Sequence, residues 1–380
     1  MLPRTVLFRL NHIPRPFCHR PNILAPTIRP FSTSLPLFSS SSSSNSNSNS
    51  NSNSNSDSQP GRKVDDSEGK RERPKATHPT KHKPRAVSSG RPVAEHTKED
   101  EKKRSGLPEQ PDETPQLFTL GERTVVITGG GRGLGLTVAQ ALLESGSHVV
   151  CLDLLPEPSE PQWGNAAKYA KQQGLRLDYV DLDVTDQDEV KRVFKQVFES
   201  APPHAPVRGL FTSAGIQVMM PATCYDTAKF RKVIDVDLTG TFLCAQAFAH
   251  EWFERHPNID GAAGVKGASI AMTGSMSGHI ANLGIECAAY NASKAGVIQL
   301  AKNLALEWSR RGIRVNIRTA LTAAQLDEKP ELRDIWLKGS LLGRLSTPDE
   351  FRGPVVFLLS DASSFMTGAD LLIDGGHCAT

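Results

Sequence analysis

Tyr290 and Lys294 stand four residues apart in the segment YNASK, a spacing that puts both side chains on one face of a helix. A phenol ordinarily titrates near pH ~10, and a neighbouring ammonium group lowers its pKa by favouring the phenolate. Such a phenol can exchange a proton with an alcohol or a carbonyl group. Ordinary surface pairs share this spacing, so the interpretation depends on the surrounding motifs.

Two serines precede this pair along the chain. Ser277 lies 13 residues before Tyr290, and Ser275 lies two residues earlier still. A hydroxyl group at this place could hold a substrate oxygen next to the phenol. We predict Ser277 for this role, with Ser275 as the competing candidate, and expect the other serine to bond to loop backbone.

A glycine-rich segment, TGGGRGLG, follows a β-branched run and precedes a helical pattern. Glycines at such a junction permit a tight turn and let the backbone approach a pyrophosphate, which the helix N-terminus attracts. The segment therefore predicts a dinucleotide site, although a glycine-rich turn without a ligand is the alternative. The predicted contacts are Gly129, Arg132, Gly133, Leu134 and Gly135.

Asp153 ends the next predicted strand, 18 residues beyond Gly135. A carboxylate there can accept hydrogen bonds from the adenosine ribose and would repel a 2′-phosphate, which favours NAD. Arg132 favours the opposite choice, because a guanidinium beside the ribose could bind a 2′-phosphate. NAD is the predicted cofactor and NADP the alternative; a capping role for Asp153 stays open.

The elements that must position these residues alternate between strand and helix. Strands are predicted at 123–128, 148–153, 176–180, 207–212, 268–273, 313–317 and 370–373, and helices at about 133–144, 163–173, 186–199, 226–254, 288–311 and 348–360. This alternation predicts an α/β fold, a Rossmann-type doubly wound parallel sheet in a single domain. Ligands of such sheets lie at the carboxyl ends of the strands, where each motif above falls.

The N-terminal part of the chain differs in composition from the rest. Residues 1–56 contain no Asp or Glu and five Arg, which is typical of a mitochondrial transit peptide. We place that peptide at 1–38 and expect the mitochondrial matrix, with a disordered basic leader as the alternative. The Ser-Asn tract and the Pro- and Lys-rich stretch over 39–115 are predicted to be disordered. Residues 116–380 form the predicted folded domain.

Charge and composition exclude several other classes of protein. Residues 1–115 carry 19 Lys and Arg against 12 Asp and Glu, whereas residues 116–380 carry 25 against 29. The basic balance of the whole chain therefore belongs to the N-terminal part, whose Lys and Arg clusters we interpret as a solvated spacer, and we predict no nucleic-acid partner. No run of ~18 apolar residues predicts a membrane span. The six cysteines show no Cys-x-x-Cys pair, and no ligand spacing predicts a metal.

These motifs together resemble the short-chain dehydrogenase/reductase family over residues 117–380. The glycine segment, Ser277, Tyr290 and Lys294 match the family in order, and Asp374–Gly376 match its closing Asp-Gly-Gly. The resemblance implies an NAD(P)-dependent oxidoreductase that interconverts a secondary alcohol and a ketone. It also implies cofactor contacts from Asp183 and Val184 and from the Ala214-Gly215 pair, and a homotetramer or dimer built partly on the Tyr290 helix.

A closer resemblance is to a fungal polyol dehydrogenase branch that includes arabinitol dehydrogenases and sorbose reductases. The segments that carry it are DLLP at 153–156, SMSGHIAN at 275–282, LGRLS at 342–346 and SDASSFMTG at 360–368. It implies a polyol/ketose pair such as arabinitol/ribulose. The alternatives are a mitochondrial 3-oxoacyl reductase and a catalytically weak nucleotide-binding scaffold.

Two departures from the family pattern bear on catalysis. Asp237 stands where the family has an Asn that holds a water beside the catalytic Lys, so we expect its carboxylate to pair with Lys294. The family's Ser/Pro-Gly loop, which lays the nicotinamide flat, is absent after Asn316, where the chain runs on as Ile-Arg-Thr. Thr319 is the predicted cofactor contact there. Either the gene model or splicing is in error, or the cofactor site is impaired.

Overall fold

The computed structural model describes residues 113–259, 267–320 and 333–379. The predicted transit peptide at 1–38 and all but the last three residues of the predicted linker at 39–115 lie outside the described residues. The first regular element is a helical turn at Thr114–Leu117, which has Pro115 in its first turn. Proline is favoured there because its missing N–H would have no helical partner.

Seven parallel strands form one sheet in the order β3-β2-β1-β4-β5-β6-β7. They are β1 Thr124–Thr128, β2 His148–Asp153, β3 Leu177–Asp181, β4 Val207–Thr212, β5 Ala268–Thr273, β6 Ile313–Ala320 and β7 Asp370–Ile373. The chain order reverses between β1 and β4, which creates the crevice that binds ligands in such sheets. The predicted doubly wound parallel sheet is confirmed.

Helices cover both faces of the sheet. They are α1 Gly133–Glu144, α2 Gln162–Gln173, α3 Gln187–Ser200, α4 Thr227–Ile234, α5 Thr241–Arg255, α6 Ala288–Trp308, α7 Arg333–Gly339 and α8 Arg352–Leu359. One apolar core joins α3, α5 and α6 to the sheet, and a second joins α1, α2 and α8 to its other face. This double burial explains why β1, β2 and β5 are mostly apolar. The short helix α7 was not predicted from the sequence.

The predicted continuous helix over 226–254 is divided by a π-helical segment at Asp235–Gly240, between α4 and α5. A π turn adds a residue to the helical repeat and often marks a functional position. The segment is tightly packed. Asp237 is fully buried, and a Cβ added to Gly240 would come within 2.7 Å of Val184 Cγ2. Tertiary packing, which the helical periodicity could not show, therefore decides this break.

Strand β6 extends three residues beyond its predicted end at Ile317. Ile317 pairs with Asp370, Thr319 pairs with Leu372, and the backbone N–H of Gly274 donates to the carbonyl of Arg318. No Pro-Gly turn follows Asn316, so β-branched residues continue the strand instead. The predicted end of the strand at Ile317 was therefore wrong, because no proline or glycine ends the strand there.

This extension carries Arg318 into the core, where its side chain is completely buried. The guanidinium lies 4.7 Å from the Phe351 ring centroid and 5.7 Å from that of Phe211. Among the described residues, the guanidinium makes one hydrogen bond, a long contact of 3.4 Å to Thr273 Oγ1, and its Nε and Nη1 have no partner there. Burial lowers the pKa of Arg318 to about 10, opposed by the negative charge that Tyr290 would carry as a phenolate.

Replacing Arg318 by Met should raise the free energy of unfolding by about 1–3 kcal/mol, because it removes a buried charge that lacks a carboxylate partner while keeping an unbranched side chain. Urea denaturation monitored by circular dichroism would measure the change. The matched control is Arg123→Met, since Arg123 is equally buried but bonds to Leu359 O and Asp361 Oδ2. The control should destabilise the protein; an equal loss in Arg318→Met would contradict this account.

Candidate active site

The glycine segment forms a tight turn between β1 and α1. The N–H of Gly129 donates to Leu152 O at 2.7 Å, and a Cβ at Gly129 would lie 2.6 Å from Ala214 N. Gly133 has a φ of +52°, and a Cβ there would meet nothing within 4 Å. The first turn of α1 begins at Arg132 without a side-chain cap. The first turn of the helix, which includes Leu134 and Gly135, therefore has backbone N–H groups that no side chain caps and that could bind a pyrophosphate.

Asp153 lies at the carboxyl end of β2, beside this turn. Its Oδ2 accepts the N–H of Gly131 at 2.8 Å, and its Oδ1 accepts the N–H of Leu155 at 3.1 Å. The carboxylate thus fixes the glycine turn and puts a negative charge where an adenosine ribose would lie. The exposed Arg132 is the nearby cation of the predicted cofactor set. Their roles towards the adenosine ribose and a 2′-phosphate stay predictions.

Asp183 and Val184 follow β3 and take different environments. Asp183 Oδ1 accepts both the N–H and the hydroxyl of Thr185, at 2.9 and 2.7 Å. Its other carboxylate oxygen makes no hydrogen bond with a described residue, so it is available to an adenine amino group. Val184 is buried against Gly240 of the π-helical segment, where a Cβ would lie 2.7 Å from Val184 Cγ2.

The Ala214-Gly215 pair after β4 lies between the glycine turn and the predicted catalytic residues. The N–H of Ala214 approaches Thr128 Oγ1 at 3.4 Å. A Cβ on Gly215 would lie 3.3 Å from Asp237 Oδ1 and 3.6 Å from Lys294 Nζ. The pair therefore connects the predicted nucleotide site to the predicted catalytic site at the carboxyl edge of the sheet.

Lys294 and Asp237 form a buried ion pair, as the sequence predicted. Lys294 Nζ lies 3.8 Å from Asp237 Oδ2 and donates a hydrogen bond to Thr273 O at 3.2 Å. Asp237 Oδ1 accepts the N–H of Ile216 at 2.8 Å, and Oδ2 accepts the hydroxyl of Ser293 at 3.2 Å. The lysine is thereby fixed between α6, the π-helical segment and the end of β5.

Burial raises the pKa of Asp237, while the positive charge of Lys294 and the hydrogen bonds from Ile216 and Ser293 lower it. Burial dominates, because the carboxylate is completely removed from solvent. Asp237 therefore takes up a proton at a higher pH than an exposed aspartate does. In its protonated form the side chain is neutral, as the family's asparagine is.

Tyr290 lies beside this ion pair, with Lys294 Nζ 5.4 Å from its ring centroid. Ser275 Oγ accepts the N–H of Ser277 at 3.2 Å and so caps the short helical turn Met276–Gly278. The Ser277 hydroxyl makes no hydrogen bond with a described residue. This division supports the prediction that Ser277 faces the substrate while Ser275 bonds to backbone.

Thr319 lies on the extended strand β6 and is completely buried. Its hydroxyl donates to Asp370 Oδ1 at 2.9 Å, and Asp370 Oδ2 lies 2.7 Å from His279 Nε2. The side chain predicted to contact the cofactor is thus engaged with β7. Residues 321–332, which follow, lie outside the described residues.

Sequence reasoning missed two side chains near Tyr290. Arg318 could have been noticed as a charged residue in a strand buried on both faces. Trp336 on α7 belongs to the same apolar cluster as Tyr290, and only the folded structure reveals this contact. Within the described ranges, no group of three or more His, Cys, Asp or Glu could hold a metal ion, and no helix is long and apolar enough to span a membrane.

Comparison with known proteins bears on this arrangement. A family model described as enoyl-(acyl carrier protein) reductase matches residues 129–378. The chain is 46% identical over 274 residues to a short chain dehydrogenase/reductase, notP′, of Aspergillus versicolor, covering 70% of this chain and 90% of that protein. The residues 129–378 that the family model matches include every catalytic and cofactor residue predicted above.

Two further proteins agree with this match. An NADH-dependent L-xylulose reductase of Ambrosiozyma monospora is 36% identical, covering 68% of this chain and 96% of the relative. A crystal structure of gluconate 5-dehydrogenase from Burkholderia cenocepacia, in complex with NADP and tartrate, has a TM-score of 0.61 and 27% identity, covering 70% of this chain and all of that one (100%). The chain belongs to the short-chain dehydrogenase/reductase family of oxidoreductases, which act on CH–OH groups with NAD(P).

Proposed function

We propose that this enzyme interconverts a polyol and its ketose, such as arabinitol and ribulose, with NAD(H). The observation that carries the proposal is the assembly of Tyr290, Lys294 and a free Ser277 hydroxyl at the carboxyl edge of the sheet. The motifs shared with polyol dehydrogenases and the similarity to an L-xylulose reductase support the substrate class.

Each residue has a separate task in this reaction. The bound nicotinamide supplies or accepts the hydride. Ser277 holds the substrate oxygen, and Tyr290 gives that oxygen a proton during reduction or removes it during oxidation. The positive charge of Lys294 stabilises the negative charge that develops on the Tyr290 oxygen during proton transfer, and its ammonium group would contact the nicotinamide ribose. Asp237 and Thr273 hold that ammonium group in place.

A mitochondrial 3-oxoacyl reductase is the second candidate; the description of the matching family model shares with it an acyl carrier protein substrate, although an enoyl reductase reduces a carbon–carbon double bond. A phosphopantetheine-bound substrate would favour a basic rim, whereas residues 116–380 carry 25 Lys and Arg against 29 Asp and Glu. A catalytically weak nucleotide-binding scaffold is the third, motivated by Asp237 and by the unbroken strand β6. Turnover assays with bound cofactor separate it from the two enzymes.

We also propose where the enzyme acts and how it assembles. The acid-free, Arg-rich residues 1–38 would direct it to the mitochondrial matrix. A homotetramer or dimer that uses the outer surface of α6 would keep the Tyr290 helix rigid.

Tyr290→Phe should reduce turnover by roughly 10²–10⁴-fold, because it removes the exchangeable proton and conserves the ring. Binding of NADH, measured by fluorescence titration, and the melting temperature should remain unchanged. The control is Tyr225→Phe, which loses a hydrogen bond from the phenol to Val218 O at 3.0 Å and should cost stability but not activity. Full activity in Tyr290→Phe would refute the proposed mechanism.

Asp153→Asn should improve kcat/KM with NADPH by roughly tenfold and change the value with NADH much less. The amide oxygen can still accept the N–H of Gly131, whereas the hydrogen bond from Leu155 is lost, and the charge that repels a 2′-phosphate is removed. Arg132→Gln is the complementary control and should weaken NADPH binding. If the wild type prefers NADPH at saturating substrate, Arg132 outweighs Asp153 and the assignment of NAD is wrong.

Asp237→Asn should raise turnover at neutral pH, by roughly tenfold at most, and displace the pH profile to lower pH. Without the neighbouring carboxylate, the full positive charge of Lys294 acts on the negative charge that develops on the Tyr290 oxygen during proton transfer. The difference in turnover between the variant and the wild type should become smaller as the pH falls. Burial raises the pKa of Asp237, so its carboxyl group is protonated at a higher pH than an exposed aspartate and is then as neutral as the asparagine of the variant. Steady-state kinetics across the pH range measure both effects.

Asp235→Asn is the matched control, since Asp235 lies on the same π-helical segment but is exposed. It should leave the pH profile unchanged. An inactive Asp237→Asn beside an active wild type would instead make the carboxylate a working part of the proton path.

A further inference from the structure

Trp336 lies in a small apolar cluster that surrounds the catalytic phenol. The cluster contains the buried side chains of Met276, Ile285, Cys287 and Trp336, against which Tyr290 packs. Trp336 is only 2% exposed. The indole of Trp336 therefore packs in the same apolar cluster as the phenol of Tyr290.

The indole N–H of Trp336 has no hydrogen-bond partner among the residues that the structure describes, although it is removed from solvent. Buried polar groups in proteins are normally paired, because an unpaired donor costs its full desolvation. The contrast within this chain is Trp252, which is equally buried but donates from Nε1 to Arg311 O at 3.1 Å. An orphaned donor beside a catalytic phenol indicates that an acceptor arrives with a ligand.

The position of this indole is fixed by the C-terminal segment. The N–H of Ser340 donates to Trp336 O at 3.1 Å, and Ser340 Oγ donates to Arg344 O at 3.0 Å. At the end of the same helix, a Cβ on Gly339 would come within 2.7 Å of His377 Nδ1. The end of helix α7 therefore packs closely against His377.

We propose that Trp336 is a specificity-determining residue: its indole N–H donates to a hydroxyl oxygen on the carbon next to the reacting carbon. The substrate class that this selects is the α-hydroxy ketone and the corresponding vicinal diol. This inference rests on the proposed polyol function and deepens it. The apolar ring contacts the C–H groups of the substrate, and a ketone without the neighbouring oxygen leaves the N–H unpaired.

The test compares hydroxyacetone with acetone, which differ by the one hydroxyl group, in NADH-dependent reduction. Trp336→Phe keeps an aromatic ring and removes the N–H. It should lower the ratio of kcat/KM for hydroxyacetone to kcat/KM for acetone by roughly tenfold or more. The preference for hydroxyacetone is the decisive readout, because a purely structural role would change both ketones alike.

Trp252→Phe is the matched control, since it removes the same volume and an indole N–H that is paired. It should lower the melting temperature more than Trp336→Phe does and leave the substrate preference as in the wild type. An unchanged preference in Trp336→Phe overturns the role of Trp336 alone. A wild type that binds NADH but reduces neither hydroxyacetone nor ribulose overturns the polyol function and this inference together.

Discussion

The buried ion pair between Lys294 and Asp237 is the interaction on which the rest of the site depends. It joins α6, which carries Tyr290, to the π-helical segment that interrupts the α4–α5 helix. The same carboxylate holds the loop after β4 through the N–H of Ile216. Three elements from separate parts of the chain therefore meet at one charge pair, which sets the position of the catalytic lysine.

Such a pair is stable only when its remaining polar atoms are also satisfied, because both charges lose their hydration. Asp237 and Lys294 meet this condition through backbone and hydroxyl partners. Arg318 does not: it lies as deep as Asp237, but among the described residues it has one long hydrogen bond and no carboxylate partner. A compensated ion pair and an uncompensated guanidinium therefore lie close to the same catalytic phenol.

Sequence periodicity was sufficient for the sheet, because strands buried on both faces are apolar and helices alternate with them. The glycine turn and the Tyr-Lys spacing were also readable, since their chemistry is local. The π-helical break, the extension of β6 and the environment of Trp336 were not. Each depends on contacts between distant segments, such as Gly240 with Val184 and β6 with β7. The motif order did predict the pairing of Asp237 with Lys294, because the substitution of Asp for Asn introduces a charge beside the lysine.

The central claim is that this assembly transfers hydride between NAD(H) and a secondary alcohol although β6 runs on without a Pro-Gly turn. The most direct measurement uses NADH that carries deuterium on the reactive nicotinamide carbon, with ribulose as the substrate and mass spectrometry of the product. The account predicts a polyol with one deuterium on the carbon that was the ketone carbon of ribulose. Unlabelled ribulose recovered from enzyme with NADH bound would contradict it and identify a nucleotide-binding protein without the chemistry.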